Sequence, residues 1–462
     1  MTALSETKRY QAYPEYKESD VEWLDDIPKD WCTRRLKHML ESPMSYGANE
    51  AAERAVSTEP RYIRITDMNS DGTLKEDTFR SLPRDIASDY LLKDRDILLA
   101  RSGATVGKSF IYRKEFGDCC FAGYLIKVSC DCARLNSDYA FWFFQSSSYW
   151  QYISGSQIQA TIQNVSAEKY GEMYISLPEH VEEQTQIANF LDHEIAKIDT
   201  LIEKQQLLIK LLKEKRQAVI SHAVTKGLNP QAPMKDSGVE WLGEVPEHWG
   251  VSRVGWLCDY LSYGFTNPMP ATDCGPYMLT AADIEYGQIN LSNARKTSVD
   301  AYKKLLSAKS KPEKGDVLIT KDGTLGRVAL FDSDEVICIS QSIALLRVNK
   351  NQVLPEFFSL ALLGSDYQSK MIFDAGGTTI KHIYISILAK MNFLLPNLEE
   401  QREIVRVTND KLKKTDLLIQ QANQASALLQ ERRTALISAA VTGKIDVRNW
   451  QAPTEKALEQ TA

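Results

Sequence analysis

Two long segments of the chain carry apolar side chains at helical spacing. The first, residues 182–226, contains no proline or glycine, and its stripe recurs at intervals of three and four residues, with Gln205 and Arg216 as polar members. This spacing predicts one continuous helix of about 65 Å, since each residue adds about 1.5 Å. The apolar members of this first stripe are Ile187, Leu191, Ile195, Ile198, Ile202, Ile209, Leu212 and Val219.

The second segment, residues 397–446, repeats the pattern with a smaller and more polar stripe, which Thr415, Ser426 and Arg433 interrupt. A stripe that recurs about every 3.5 residues is typical of a coiled coil, in which large side chains of one helix can face small ones of the other. We therefore predict that the two helices pair with each other; the alternative is two independent surface helices. The apolar members of the second stripe are Ile404, Leu412, Ile419, Leu429 and Leu436.

The rest of the chain alternates short β-type runs, such as residues 96–100 and 123–128, with turns rich in Gly, Pro, Asn and Asp. This alternation predicts two mixed α/β modules. The predicted order is a leader (1–18), a first module (19–178), a first helix (179–227), a linker with two prolines (228–234), a second module (235–396), a second helix (397–446) and a loose tail (447–462).

The two modules and their helices are copies of one frame. The pattern Ser-x-Val-Glu-Trp-Leu, followed by an Ile/Val-Pro pair and a Trp, returns at an offset of 218 residues. The matched stretches are 19–31 with 237–249, 182–184 with 399–401, and 214–225 with 431–442. Between these stretches the copies differ strongly. A repeated frame around two different inserts suits a molecule that performs one task at two places with two specificities.

Each module places a polar glycine turn directly after a β-run. The first copy reads Arg-Ser-Gly at 101–103, and the second reads Lys-Asp-Gly at 321–323. A glycine lets the backbone approach a ligand closely, and a neighbouring cation can contact phosphate or a base edge. The alternative is a hairpin whose charges are merely solvated. The candidate DNA contacts at these turns are Arg101, Ser102, Gly103, Lys108, Lys321, Gly323 and Arg327.

A second polar element follows in each copy, at residues 157–165 and 376–383. Its Gln, Thr, Asn, Lys and His side chains can hydrogen-bond base edges or bind phosphate, although an ordinary polar loop would have the same composition. The candidate DNA contacts here are Gln157, Gln159, Thr161, Gln163, Thr378, Thr379 and Lys381.

Motifs of catalysis are missing from the sequence. Residues 103–109 resemble a phosphate-binding P-loop, but three residues separate the glycines where the P-loop has four. The eight cysteines show no zinc-type spacing, and there is no H-E-x-x-H, G-x-S-x-G or Rossmann fingerprint. We therefore expect no cofactor, no metal and no catalytic activity in this chain by itself.

The composition, with 43% hydrophobic and 25% charged residues, is that of an ordinary globular protein. No apolar run reaches the roughly 18 residues of a membrane span, and scattered cysteines fit a reducing cytoplasm. The net charge of −6 argues mildly against nucleic acid. It does not exclude DNA, because a total hides local charge and a partner subunit can neutralise phosphates.

The framing residues resemble the specificity subunit of type I restriction-modification systems. The module starts at 21–31 and 239–249, and the helix ends at 212–225 and 436–448, carry the likeness, which covers residues 13–450. The resemblance implies two target-recognition domains, each reading one half of a split DNA sequence, and two helices packed as an antiparallel coiled coil that acts as a ruler. It also implies two DNA adenine methyltransferase subunits and motor-nuclease subunits as partners, which carry the catalysis.

The expected fold is thus a mixed α+β chain: two pseudo-repeated α/β target-recognition domains joined by two long helices that form an antiparallel coiled coil. The expected function is reading of a bipartite, asymmetric sequence in double-stranded DNA, in the cytoplasm and without a membrane. Base-reading residues vary within the family, so the resemblance assigns none here. The rival hypotheses are a coiled-coil scaffold that binds no DNA, and an NTPase built on residues 103–109.

Overall fold

The computed structural model describes residues 10–51, 53–69, 73–157, 164–376 and 381–452. It divides into two compact units. The first unit combines Met1–Gln206 with Gln424–Ala462, and the second comprises Leu207–Asn423. No helix within the described parts of the chain is both long and apolar enough to cross a lipid bilayer.

The first unit is built on a four-stranded antiparallel sheet with a parallel strand pair beside it. Its strands are β1 (Tyr16–Lys17), β2 (Ile27–Pro28), β3 (Trp31–Arg35), β4 (Ser45–Tyr46), β5 (Arg61–Ile63), β6 (Ile97–Ala100), β7 (Ser109–Ile111), β8 (Cys119–Phe121), β9 (Leu125–Val128) and β10 (Tyr174–Pro178). Its helices are α1 (Arg84–Ala87), α2 (Ser137–Phe143), α3 (Ser147–Gln157), α4 (Ala167–Glu172) and the start of the long helix α5 (Val181–Lys226). The sheet order is β4-β9-β6-β7, and β5 pairs in parallel with β8. Every residue of β6 is buried, as a continuous apolar run predicts for a central strand.

The second unit repeats this topology. Its strands are β11 (Met234–Asp236), β12 (Glu244–Pro246), β13 (Gly250–Arg253), β14 (Cys258–Tyr263), β15 (Thr272–Leu279), β16 (Arg295–Lys296), β17 (Val317–Thr320), β18 (Val328–Leu330), β19 (Ile337–Ile339), β20 (Ile343–Val348) and β21 (Asn392–Leu395). Its helices are α6 (Val299–Leu305), α7 (Pro355–Leu362), α8 (Ser365–Phe373), α9 (Ile385–Lys390) and the start of the second long helix, α10 (Leu398–Val441). The main sheet has the order β14-β20-β17-β18, and β15 pairs in parallel with β19.

Each unit contains one half of each long helix, and the halves run antiparallel. In the first unit the Arg433 guanidinium donates to the Asp199 carboxylate at 2.9 Å, while the Gln186 amide donates to the Val447 carbonyl at 3.4 Å. The earlier residue of α5, Gln186, thus faces the later residue of the other segment, Val447, so the two run in opposite directions. In the second unit the Arg216 guanidinium donates to Asp416 at 2.9 Å.

The predicted stripes face inward. None of their thirteen members is exposed: Ile187, Leu191, Ile195, Ile198, Ile404 and Leu412 are buried, and Ile202, Ile209, Leu212, Val219, Ile419, Leu429 and Leu436 are half-buried. The buried hydroxyl of Thr415, which interrupts the second stripe, is satisfied by the Lys411 carbonyl at 3.0 Å. The predicted fold class, with its antiparallel helix pair, is confirmed.

The repeated tryptophans join each module to the start of the helix that follows it. The indole N–H of Trp31 donates to Glu183 at 3.0 Å, and that of Trp249 donates to Glu400 at 3.1 Å. Both indoles are fully buried. A buried tryptophan N–H requires a partner, so the tryptophan and the glutamate recur together in both copies.

The opposite end of each helix packs on the other module. In the first unit the Ser438 hydroxyl, near the end of α10, accepts the backbone N–H of Ser147 at 2.9 Å. In the second unit the Ser221 hydroxyl, near the end of α5, accepts the N–H of Ser365 at 2.7 Å. Each module is therefore held by the beginning of one long helix and the end of the other.

Candidate nucleic-acid interface

The first glycine turn follows β6 and reverses the chain into β7. Gly103 and Gly107 have φ values of +79° and +86°, a region that only glycine adopts without strain. The loop is closed by a hydrogen bond from the Gly107 N–H to the Ala100 carbonyl at 2.9 Å. A strand begins at Ser109, whereas a phosphate-binding P-loop continues into a helix. This backbone geometry gives no support to a nucleotide site at residues 103–109.

The structure brings this turn against the end of the polar loop that follows later in the chain. The backbone N–H of Val165 donates to the Arg101 carbonyl at 2.8 Å, and Ser102 forms a β-bridge with Asn164. The Arg101 guanidinium lies 3.5 Å from the Asn164 side-chain oxygen. Two elements that are about 60 residues apart in sequence thus form one surface in the first unit.

The second unit makes the same junction with different side chains. The Ile383 N–H donates to the Lys321 carbonyl at 2.9 Å, and Asp322 forms a β-bridge with His382. The Asp322 carboxylate accepts from the Lys321 ammonium at 2.9 Å and also contacts Nδ1 of His382. Lys321 itself is only 5% exposed, so Asp322 and His382, which are half-buried, present the polar groups of this turn to solvent.

The second turn therefore carries a coupled charge cluster. Partial burial alone would raise the pKa of the Asp322 carboxyl, but hydrogen bonds from Lys321 and His382 outweigh it and leave that pKa below its usual range. The first turn has the uncharged Ser102 at this position, so the two turns differ in charge and in pH response.

A tyrosine ring lies under each turn cation. The Arg101 guanidinium carbon lies 4.6 Å from the ring centroid of Tyr46, and the Lys321 ammonium lies 5.4 Å from that of Tyr263. Such cation–π contacts hold a long, flexible side chain in one direction. These tyrosines were not among the residues predicted to build the site.

A repeated tripeptide, Ser-Tyr-Gly at 45–47 and 262–264, could have indicated them. A Cβ on Gly47 would lie 2.1 Å from the Phe121 carbonyl oxygen, and one on Gly264 would lie 1.8 Å from the Ile339 carbonyl oxygen. Both distances are far below van der Waals contact, so only glycine allows the two backbones to approach each other there.

Lys108 and Arg327 occupy equivalent positions after the second glycine of each turn. The Lys108 ammonium donates to the Met68 carbonyl at 2.7 Å, and the Arg327 guanidinium donates to the Ile284 carbonyl at 3.0 Å. Each cation thus holds its turn against the end of the short 3-10 helix that follows β5 in the first unit and β15 in the second. A role in DNA contact stays a prediction for both residues.

The remaining predicted contacts divide between described and undescribed residues. Gly323 has a φ of +77°, in the same conformation as Gly103, and Lys381 is exposed beside His382. Gln157 is the last residue of α3. The other predicted contacts, Gln159, Thr161, Gln163, Thr378 and Thr379, lie outside the described residues.

The adjacent cysteines Cys119 and Cys120 belong to the core. Cys119 and Cys120 are fully buried in β8, and burial raises the pKa of both thiols to about 12. Protonated, buried thiols behave as small apolar side chains. Within the described ranges, no group of three or more His, Cys, Asp or Glu side chains is arranged to hold a metal ion.

The chain is similar in sequence to proteins of one family over most of its length. The family model described as type I restriction modification DNA specificity domain matches residues 28–211 and 246–426, one match in each copy. The specificity subunit of the type I restriction enzyme StySPI from Salmonella potsdam is 24% identical over 446 residues, which cover 92% of this chain and 91% of that protein. The EcoBI specificity subunit of Escherichia coli is also 24% identical over 319 residues, 68% of this chain and 66% of that protein, just under two thirds of its length.

Solved structures share the fold. A chain from a study of complex assembly and conformational transition of the type I R-M system superposes with a TM-score of 0.70 at 15% identity, covering 91% of this chain and 99% of that one. The HsdS subunit from Thermoanaerobacter tengcongensis gives a TM-score of 0.50 at 16% identity. With a family match in both copies and this shared architecture, the chain belongs to the family of type I restriction-modification DNA specificity subunits.

Proposed function

We propose that this chain reads a bipartite, asymmetric DNA target, with one half-site for each target-recognition domain (19–178 and 235–396). One observation carries the proposal: the same backbone junction presents different side chains in the two units. The first unit presents Arg101, Ser102 and Asn164, whereas the second presents Asp322 and His382 while Lys321 is buried.

These side chains favour different bases. An arginine can donate two hydrogen bonds to guanine, and an asparagine can pair with adenine, whereas a carboxylate accepts from the amino group of cytosine. The Asp322 carboxylate would repel phosphate, so the second turn is better suited to a base edge than to the DNA backbone. Two turns with different donors and acceptors would select two different half-sequences, which makes the whole target asymmetric.

The two long helices are proposed to set the gap between the half-sites. They are 46 and 44 residues long, and ion pairs hold their halves in register within each unit. Adding seven residues to each helix lengthens it by about 10.5 Å, which corresponds to roughly three base pairs of duplex. The number of unread base pairs should change accordingly, while both half-sequences stay the same.

Partner subunits are proposed to dock on the outer faces of these helices. Five leucines of the second unit, Leu207, Leu208, Leu211, Leu417 and Leu418, are 44–55% exposed although they lie on helices whose stripes are already covered. Several exposed leucines on one pair of helices favour a protein-binding surface. We propose that two DNA adenine methyltransferase subunits bind there and that motor-nuclease subunits join them. The chain itself is proposed to need no cofactor and to work in the cytoplasm.

The decisive experiment is methylome sequencing of cells with and without this gene, in the presence of its methyltransferase partner. We expect one methylated adenine motif with two unlike halves and a fixed gap, which disappears when the gene is removed. The seven-residue insertion in both helices, placed between the Asp199–Arg433 and Arg216–Asp416 pairs, tests the ruler in the same assay. A motif that is independent of this gene would instead support a coiled-coil scaffold without DNA contact.

A further inference from the structure

The turn between β8 and β9 in the first unit has the same backbone hydrogen bonds as the turn between β19 and β20 in the second. The Gly123 N–H donates to the Ala48 carbonyl at 2.7 Å, and the Gln341 N–H donates to the Phe265 carbonyl at 2.8 Å. The residue after Gly123 is Tyr124, and its carbonyl accepts the backbone N–H of Arg101 at 3.0 Å. The Ser342 carbonyl accepts in the same way from the Lys321 N–H at 2.8 Å, so Tyr124 and Ser342 occupy equivalent positions.

Their side chains are used in opposite ways. The Ser342 hydroxyl is half-buried and accepts the Ala281 N–H at 3.0 Å, with Ser340 Oγ at 2.8 Å, so it serves the fold of its own unit. The Tyr124 side chain is 66% exposed, and its hydroxyl has no hydrogen-bond partner among the described residues. A rigidly held turn thus presents an aromatic ring to solvent in the first unit only.

The ring borders a polar cleft of about 560 Å³ that also contains the predicted turn cation. Its other polar side chains include those of Asn49, Asn164 and Lys169, and no carboxylate is present among the described residues that line it. Two cations and two amides without an acidic side chain match the negative charge and the mixed donors and acceptors of a DNA groove.

We propose that Tyr124 is a specificity-determining residue for the half-site that the first unit reads. This inference rests on the proposed function and deepens it. The ring offers an apolar face to a thymine methyl group or a base edge, and the hydroxyl offers a donor and an acceptor. Arg101 and Asn164 bind the neighbouring positions of the same half-site. Ser342, whose hydroxyl is already bonded, makes no such contact in the second unit.

The test uses the complex with its methyltransferase subunits and duplexes in which one half of the wild-type methylation motif is scrambled, at fixed salt concentration. Tyr124→Ser should reduce the preference for one half-site roughly tenfold, as expected for loss of one base contact, and leave the other half unchanged. Arg101→Ala should affect the same half. Tyr124→Phe, which keeps the ring, should fall between wild type and Tyr124→Ser.

Tyr286→Ser is the matched control, because it removes a 53% exposed tyrosine from the second unit. It should leave the preference for the half-site affected by Arg101→Ala unchanged. Equal preferences in wild type and Tyr124→Ser would overturn the inference, as would a loss spread evenly over both halves or a loss confined to binding of the methyltransferase subunits. The proposed function fails separately, if the wild-type complex prefers no sequence.

Discussion

The two glycine turns share a backbone and differ in charge. In the first unit an arginine and an asparagine lie side by side, and the turn has no carboxylate. In the second unit a buried lysine, an aspartate and a histidine form one cluster. Both turns are closed by equivalent main-chain hydrogen bonds, from Gly107 to Ala100 and from Gly326 to Thr320. The frame can therefore keep its shape while the side chains at the surface change, which separates folding from specificity.

The largest effect should follow from breaking the frame that both units share. Trp249→Ala removes a side chain that is 1% exposed and leaves the Glu400 carboxylate without its indole donor. We expect a loss of about 3–5 kcal/mol in the free energy of unfolding, measured by denaturant titration. Trp256→Ala is the matched control in the same unit, because Trp256 is 68% exposed; it should cost about 0.5 kcal/mol or less. Similar losses in both variants would contradict the assignment of Trp249 to the frame.

The close backbone approach beneath the first turn predicts the next largest effect. Gly47→Ala places a methyl group 2.1 Å from the Phe121 carbonyl oxygen, so the strands must move apart. We expect a destabilisation of about 1–3 kcal/mol in thermal or denaturant unfolding. Gly155→Ala, in helix α3, meets no atom within 4 Å and should stabilise the protein by about 0.5–1 kcal/mol. A neutral Gly47→Ala variant would show that the approach is not a constraint.

Substitution of the turn cations should separate the two half-sites. Arg101→Ala should weaken binding roughly tenfold to duplexes that retain only one of the half-sites. Lys321→Ala should have the same effect for the other half-site, because the loss of the Lys321 ammonium releases Asp322 and His382. Lys108→Ala and Arg327→Ala, whose cations hold backbone carbonyls, should change half-site preference less. Binding titrations at several salt concentrations measure both effects. Even loss over both halves for Arg101→Ala would argue against one reader for each unit.

The smallest effect concerns pH. Because the pKa of Asp322 is lower in the folded protein than its usual value, its contribution to stability is present above that usual value, about 4, and is lost as the pH falls through the folded pKa. The difference in unfolding free energy between wild type and Asp322→Asn should therefore shrink below about pH 4. Ser102→Ala, at the equivalent position of the first unit, should give a difference that does not depend on pH. A constant difference for Asp322→Asn would contradict the coupling.

Much of the fold could be predicted because repetition and periodicity record burial directly. The spacing of the apolar residues predicts the buried faces of the two long helices. The repeated Glu-Glu-Gln is explained by a buried glutamine in each copy. The Gln184 side-chain oxygen accepts the Asn136 N–H, and that of Gln401 accepts the Leu354 N–H, both at 2.8 Å. Contacts of this kind keep the same residue in both copies, so a comparison of the copies finds them.

The candidate site could be predicted only in part. The glycine turns were identifiable because positive φ demands glycine, but their contact with loops about 60 residues away depends on strand order, which spacing does not reveal. The burial of Lys321 was equally hidden. Tyr124 could not be found from the repeat, since its counterpart is Ser342 and only the shared backbone hydrogen bonds align the two.

The helix ion pairs carry a consequence for the origin of the chain. Arg216 follows Asp199 by 17 positions, and Arg433 follows Asp416 by the same interval. Side by side in parallel, the duplicated helices would place aspartate against aspartate and arginine against arginine. A single-copy ancestor with one aspartate and one arginine at this interval could pair both residues with those of a second, antiparallel copy, as in an isologous homodimer. Partly exposed pairs of this kind add little stability, so their main effect is to make the wrong orientation repulsive.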